Sequence, residues 1–237
     1  MAYSKTVVTK ISDIDVNKLS VGPVVQSKNG MSNTVTLLYN NIPLKVNIPA
    51  LLTEYGVSKY TDSLTNKTSY SMNMVLDNSV ETTVFKNKIL EIEAKLVDLL
   101  VPISSQFIGK GKKLTEKIIA GKMNSGIKNS LSDTKKLNPY FNSKITNFDK
   151  EGKIFWGVEV YNKDKIKIFP SPEYETPVDC IPKKSLVYCV LDGSSVWGLA
   201  GKCGISWKLK QVAVGLIKGL PMDRCMVEFD PEEFNIA

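Results

Sequence analysis

At 237 residues with 43% apolar side chains, the chain is long enough to bury a core and too apolar for global disorder. Its formal net charge is +7, and the basic side is carried by lysine, Arg224 being the only arginine. Lysine tracks phosphates as a point charge but lacks the planar fork that reads guanine, which argues against a sequence-specific duplex reader.

The predicted elements begin with strand-like runs over 16–25 and 34–48, the second turning at Asn40-Asn41 and ending at Pro49. Residues around Gly56, Ser58, Asp62 and 63–69 read as loop, followed by a half-buried strand in which Tyr70, Met72, Met74 and Leu76 alternate with polar positions. Ile89, Ile92, Leu96 and Leu99 recur at helical steps and predict a helix over 83–100, closed by Pro102. Between Gln106 and Phe148 nine lysines face two acids, a surplus equal to the charge of the whole chain. This segment reads as a basic insertion over about 103–148, with a short helix near 114–120. It is either a solvated excursion or an arm that closes over a polyanion.

A second β-rich block follows. Residues 153–161 and 165–169 alternate as strands around a turn at Asn162-Lys163-Asp164, and Phe155 and Trp156 take opposite faces. Beyond a proline-rich connector, 183–215 reads as three strands, with turns at Asp192-Gly193 and between Gly201 and Gly204. In the last of these, strand parity sets Ile205, Trp207, Leu209, Gln211 and Ala213 on one face and Ser206, Lys208, Lys210, Val212 and Val214 on the other. Trp207 therefore reads as core, because a large aromatic on a strand is more often buried, though it stays among the stacking candidates. The end of the chain reads as a last strand and an acidic tail over 223–237, with Phe229 and Phe234 among the acids.

Histidine is absent, which removes Ser-His and Cys-His nucleophilic pairs and His-containing metal sites. Cys180, Cys189, Cys203 and Cys225 form no C-x-x-C pair; Cys189 and Cys203, in or beside strands, read as small buried hydrophobes, and no metal or cofactor is expected. The carboxylates Glu159, Asp164, Asp179 and Asp192 form no catalytic constellation, and the chain is not expected to be an enzyme. Without a signal peptide or an apolar run near 18 residues, it reads as intracellular, soluble and reduced, with no membrane partner.

The order of three strands, a helix and further strands fits an OB-type barrel. The expected fold is mainly β with one or two helices (α+β), an elaborated OB-fold-like barrel carrying the basic insertion within a single domain over 1–222. Lysines on phosphates and aromatics stacked on bases then predict a single-stranded nucleic-acid binder; a non-enzymatic structural or virion protein is the alternative. The candidate contacts are Lys110, Lys112, Lys113, Lys208 and Lys210 for phosphates and Trp156, Tyr188, Trp197 and Trp207 for bases.

PALLTEYGV (49–57) and WGLAGKCGISWKLKQVAV (197–214) carry a resemblance. With a proline-closed apolar strand followed by Tyr55-Gly56, and a late glycine-aromatic strand ending at 208–212 with Gln211, the chain resembles the single-stranded DNA-binding proteins of nucleocytoplasmic large DNA viruses. The resemblance implies an OB-fold, sequence-independent binding of single-stranded DNA (RNA being the other strand to test), and a role in viral replication, recombination or repair. It also implies a location in the viral factory or nucleus, with packaging in the virion as a further option. Replication proteins docking on the acidic tail and a second copy of the chain are the expected protein partners.

Overall fold

The computed structural model describes residues 7–129 and 138–217. The expected acidic tail, Arg224, Cys225, Lys135 and Lys136 lie outside them. Before the long helix come β1 (Thr9–Lys10), β2 (Leu19–Val21), β3 (Val25–Gln26), β4 (Ser32–Tyr39), β5 (Ile42–Pro43), β6 (Lys45–Asn47), β7 (Leu51–Thr53), β8 (Val57–Thr61) and β9 (Thr68–Val75). The helices are α1 (Val80–Leu100), α2 (Ser104–Phe107) and α3 (Glu116–Ala120). After them run β10 (Ile127–Lys128), β11 (Tyr140–Ile145), β12 (Asn147–Lys150), β13 (Lys153–Trp156), β14 (Glu159–Tyr161), β15 (Lys167–Phe169), β16 (Ser185–Leu199) and β17 (Lys202–Ile217). The fold is mainly β with few helices, as its alternating patterns predict.

One large sheet follows the path β1-β6-β16-β17-β11-β9-β8, while β12 and β13 pair only with each other. Among the described residues β1 and β8 do not pair, so this ladder is open and draws no closed barrel. Its spine is the hairpin β16–β17, turned at Ala200-Gly201, where both residues take positive φ (49° and 76°). Asp192-Gly193 is no turn: β16 runs through it with a register shift between Asp192 and Ser195. The three expected strands are therefore two, and Gly193 has a packing reason. A Cβ there would approach the Trp207 ring to 2.3 Å.

Three further expectations are corrected. Val57–Thr61, read as loop, is an edge strand; only Val57 is buried, so it shows no alternation to read. Tyr140–Ile145, placed within the basic insertion, is a central strand between β17 and β9. The run over 153–161 is two strands in different sheets, broken at Gly157-Val158. The Asn40-Asn41 turn is present, with φ of 50° and 61°, the left-handed pair that a two-residue hairpin loop requires.

The helix α1 starts where Ser79 accepts the Thr82 N–H, with Ser79 itself held by Asp77. Phe85, Ile89, Ile92, Leu96 and Leu100 form its fully buried stripe, each worth about 1.5–3 kcal/mol in apolar burial. Phe85 meets Phe141 edge-on at 5.2 Å, and Phe141 meets Trp207 at 5.7 Å, joining helix to sheet. Glu93 interrupts the apolar stripe at only 6% exposure and accepts the Gly126 N–H at 2.8 Å. Gly126 in turn lies on the Trp207 ring, where a Cβ would approach to 2.9 Å.

Burial raises the Glu93 pKa above its ordinary value, against the lowering influence of hydrogen bonds from Ser125 and Gly126 and of the Lys128 charge. The native state then holds a proton that the unfolded chain releases, so this group weakens the fold as pH rises from the ordinary carboxylate value through the raised one. Glu93→Gln keeps an acceptor for Gly126 and loses the charge. Its stability relative to wild type should increase between pH 4 and pH 8, by about 1.4 kcal/mol for each unit the pKa is raised. Urea unfolding at the two pH values is the measurement, and a pH-independent difference would remove Glu93 from the acid–base behaviour.

Candidate nucleic-acid interface

Residues directly opposite one another on neighbouring strands point to the same face, so register assembles a surface from distant sequence. On the face away from Trp207, one row crosses six strands as Lys45, Asp192, Lys208, Lys144, Ser71 and Ser58. Lys144 is exposed between buried Ser143 and Ile145, and Lys208 is half-buried between Trp207 and Leu209. The two lysines are paired directly across parallel strands. Neither makes an ion pair among the described residues, where the salt bridges are Lys88–Glu91 and Lys167–Glu159. The carboxylate of Asp192 is turned to its own strand, accepting the Ser194 N–H at 2.9 Å and hydroxyl at 2.5 Å. Like charges set opposite each other cost a sheet stability, so this pair has no evident folding purpose.

The next row holds Asn47, Val190, Gln211 and Glu159. Here β17 shifts register: Leu191 pairs with Leu209 and Val190 with Gln211, which leaves Lys210 as an extra residue. The expected parity therefore ends at Leu209. Gln211 joins the lysine face, Val212 turns into the core, and Trp207 stays buried at 2% exposure. Lys45, Lys210, Gln211, Val190, Glu159 and Trp156 line a cleft of about 580 Å³. Trp156 forms a half-buried wall, packed edge-on against Tyr70 at 4.9 Å and Phe169 at 5.6 Å. The Glu159 carboxylate accepts from the Tyr161 hydroxyl at 2.7 Å and the Gln211 amide at 3.0 Å. These two bonds, the tyrosine's first, hold its pKa below the ordinary value, with Lys167 at 3.6 Å assisting. The same contact raises the Tyr161 phenol. The acid's acceptors are thus engaged within the protein, while Lys45 and Lys210 carry no ion pair among the described residues.

Aromatic residues stand at both ends of this face. Tyr188 is 51% exposed and pairs with Ala213. Trp197 pairs with Gly204 and is half-buried; its ring lies where a Gly204 Cβ would approach to 3.1 Å, beside exposed Thr34. The nine residue steps from one to the other span about 30 Å of strand. Of the residues picked from sequence, Tyr188, Trp197, Lys208 and Lys210 share this face, while Trp156, on the separate hairpin, only borders its cleft. Lys110 and Lys112 lie elsewhere, gathered with Lys122 around the Ala200-Gly201 turn in a concavity of about 360 Å³. Lys113 is exposed but does not line that concavity. Trp207 fills the core and is corrected from stacking candidate to scaffold. Its indole N–H has no hydrogen-bond partner in the structure.

Sequence reasoning missed Lys45 and Lys144. The signal for Lys144 was local, since Phe141, Ser143 and Ile145 alternate as buried positions around it, but its pairing with Lys208 is a product of register.

Cys180, Cys189 and Cys203 are buried free thiols. Desolvation pushes Cys180 and Cys203 up to about 11 and Cys189 higher still, so all three stay protonated and unreactive. No helix among the described residues is long and apolar enough to cross a membrane.

No family model matches the chain, and no curated protein matches it. Among solved structures it is similar to a single-stranded DNA-binding protein from bacteriophage Enc34, solved in complex with ssDNA. The identity is 14% and the TM-score 0.42, over 86% of this chain and 98% of the other. A TM-score of 0.42 is too low to establish a shared fold, and the functional reading rests on this chain's own residues.

Proposed function

We propose that this protein binds single-stranded DNA without sequence preference on the lysine face of the large sheet. The observation that carries the proposal is the Lys144–Lys208 pair. Two like charges are set side by side without an ion-pair partner among the described residues, in one row with Lys45 and next to Lys210. A phosphate backbone laid across this row would relieve the repulsion, and its neutralisation would release counterions. Tyr188 and Trp197 on the same face, with Trp156 at the wall of its cleft, offer planes on which bases of any identity can stack. Stacking of this kind favours an unpaired strand, because duplex bases present only their edges.

The finer parts of the reading are proposals of the same kind. The long hairpin with its register shifts and the helix that follows the early strands suit an elaborated OB-type module. A non-enzymatic role in viral DNA replication, recombination or repair, at the viral factory or in the nucleus, accords with sequence-independent binding. Fluorescence anisotropy of labelled oligo-dT against a matched duplex, at two salt concentrations, tests the central claim. Tighter binding to oligo-dT that weakens with salt is expected. Equal affinity for both, or no binding at low salt, overturns it.

A further inference from the structure

The hairpin β12–β13 stands apart from the main sheet, directly beyond Lys144 on the chain. Its base is closed where the Gly157 N–H donates to the Thr146 carbonyl at 2.8 Å. A Cβ on Gly157 would lie 2.2 Å from the Thr146 hydroxyl, so the two strands leave the sheet in close contact. Its tip is Glu151-Gly152, both with positive φ (56° and 79°).

Register divides the hairpin into two sides. Asn147 pairs with Trp156 and Asp149 with Ile154 on one side; Phe148 pairs with Phe155 and Lys150 with Lys153 on the other. The first side is turned to the body through Trp156, which packs on Tyr70 and Phe169. The second side is left open. Phe148 is 59% exposed and Phe155 37%, yet their rings are stacked at 5.2 Å and within 10° of parallel. The Lys153 ammonium lies 5.6 Å from the centre of the Phe155 ring. Two phenyl rings held flat in solvent give the fold little burial, and the paired positions on their side carry lysines and no carboxylate. This is the composition of a stacking platform for an anionic chain, with Phe148 four residues beyond Lys144 along the chain.

We propose that this hairpin is a second binding site, at which an unpaired base of a single-stranded nucleic acid stacks on the Phe148–Phe155 pair while Lys150 and Lys153 neutralise the flanking phosphates. The inference rests on the reading of the sheet face given above and extends the bound strand onto the hairpin.

The test is anisotropy at low salt with a labelled oligo-dT long enough to cover both sites, using wild type, F148A/F155A, F148L/F155L and F148Y/F155Y. The rings are exposed, so thermal melting should not change. The Ala and Leu pairs should bind about 5- to 100-fold more weakly, and the Tyr pair, which keeps planar rings, within about twofold of wild type. An oligonucleotide with abasic positions should bind wild type more weakly and leave the Ala pair little changed. A Leu pair as tight as wild type would overturn stacking. If wild type binds single strands and the Ala pair binds equally well, the hairpin site alone is overturned; if wild type binds no single strand, the sheet reading fails first. A fall in sedimentation mass of the Ala pair with unchanged DNA affinity would make the rings a contact between copies, and would also overturn the proposal.

Discussion

Replacing Lys144 and Lys208 together with alanine is expected to weaken oligo-dT binding and, at the same time, to make the free protein slightly more stable. The two effects have one origin. The lysines are opposed on parallel strands without an ion-pair partner among the described residues, and such a pair costs roughly 0.2–1 kcal/mol. When a strand is bound, each lysine on a phosphate contributes about 0.7 to the slope of log affinity against log salt, so the double variant should lose about 1.4. Relative to its behaviour in 1 M salt, that is on the order of a 25-fold deficit at 0.1 M. A salt titration by anisotropy and a urea unfolding curve together decide the matter. A stability gain with an unchanged salt slope would leave the pair as repulsion without function.

Trp207→Ala should be among the most damaging single substitutions, costing about 3–5 kcal/mol of stability. The ring is 2% exposed, touches Phe141 edge-on and fills the space left by Gly126 and Gly193. Tyr188→Ala should do the reverse. A half-exposed tyrosine on the outer face can be removed within about 0.5 kcal/mol of wild-type stability, while a lost stacking contact weakens single-strand binding about fivefold or more. Urea unfolding and oligo-dT titration of both variants separate scaffold from interface. If Trp207→Ala kept its stability and lost binding, the two assignments would have to be exchanged.

What could be read from sequence depended on whether a residue's role was set by its neighbours along the chain. The helix over 80–100 and the strand around Met72 and Met74 were legible because burial imposes a local period. Asn40-Asn41 was legible because a tight turn needs those residue types. Asp192-Gly193 shows the same logic misapplied, since the glycine answers to a tryptophan fourteen positions away and not to a turn. The edge strand Val57–Thr61 had nothing to show, its outer positions all being exposed. The site divided in the same way. Lys208, Lys210, Tyr188 and Trp197 were found because aromatics and lysines cluster locally in 186–211. Lys144 and Lys45 reach the same surface only through pairings across 64 and 147 positions. The Phe148–Phe155 stack escaped notice because its two halves lie on opposite arms of a hairpin whose first strand was read as part of an insertion.

The register shifts of the β16–β17 hairpin give it something like a reading frame. At Ser194 and at Lys210 the chain holds one residue more than its partner strand, and the extra side chain goes outward while the buried positions resume their beat. Losing Lys210 would therefore delete a cation and leave Val212 facing inward. Losing Lys208, two residues earlier, would set Trp207 beside Leu209 and turn one of them out of the core. Chains that share this hairpin should thus vary in length at 194 and 210 and hold constant along the paired strand residues between them.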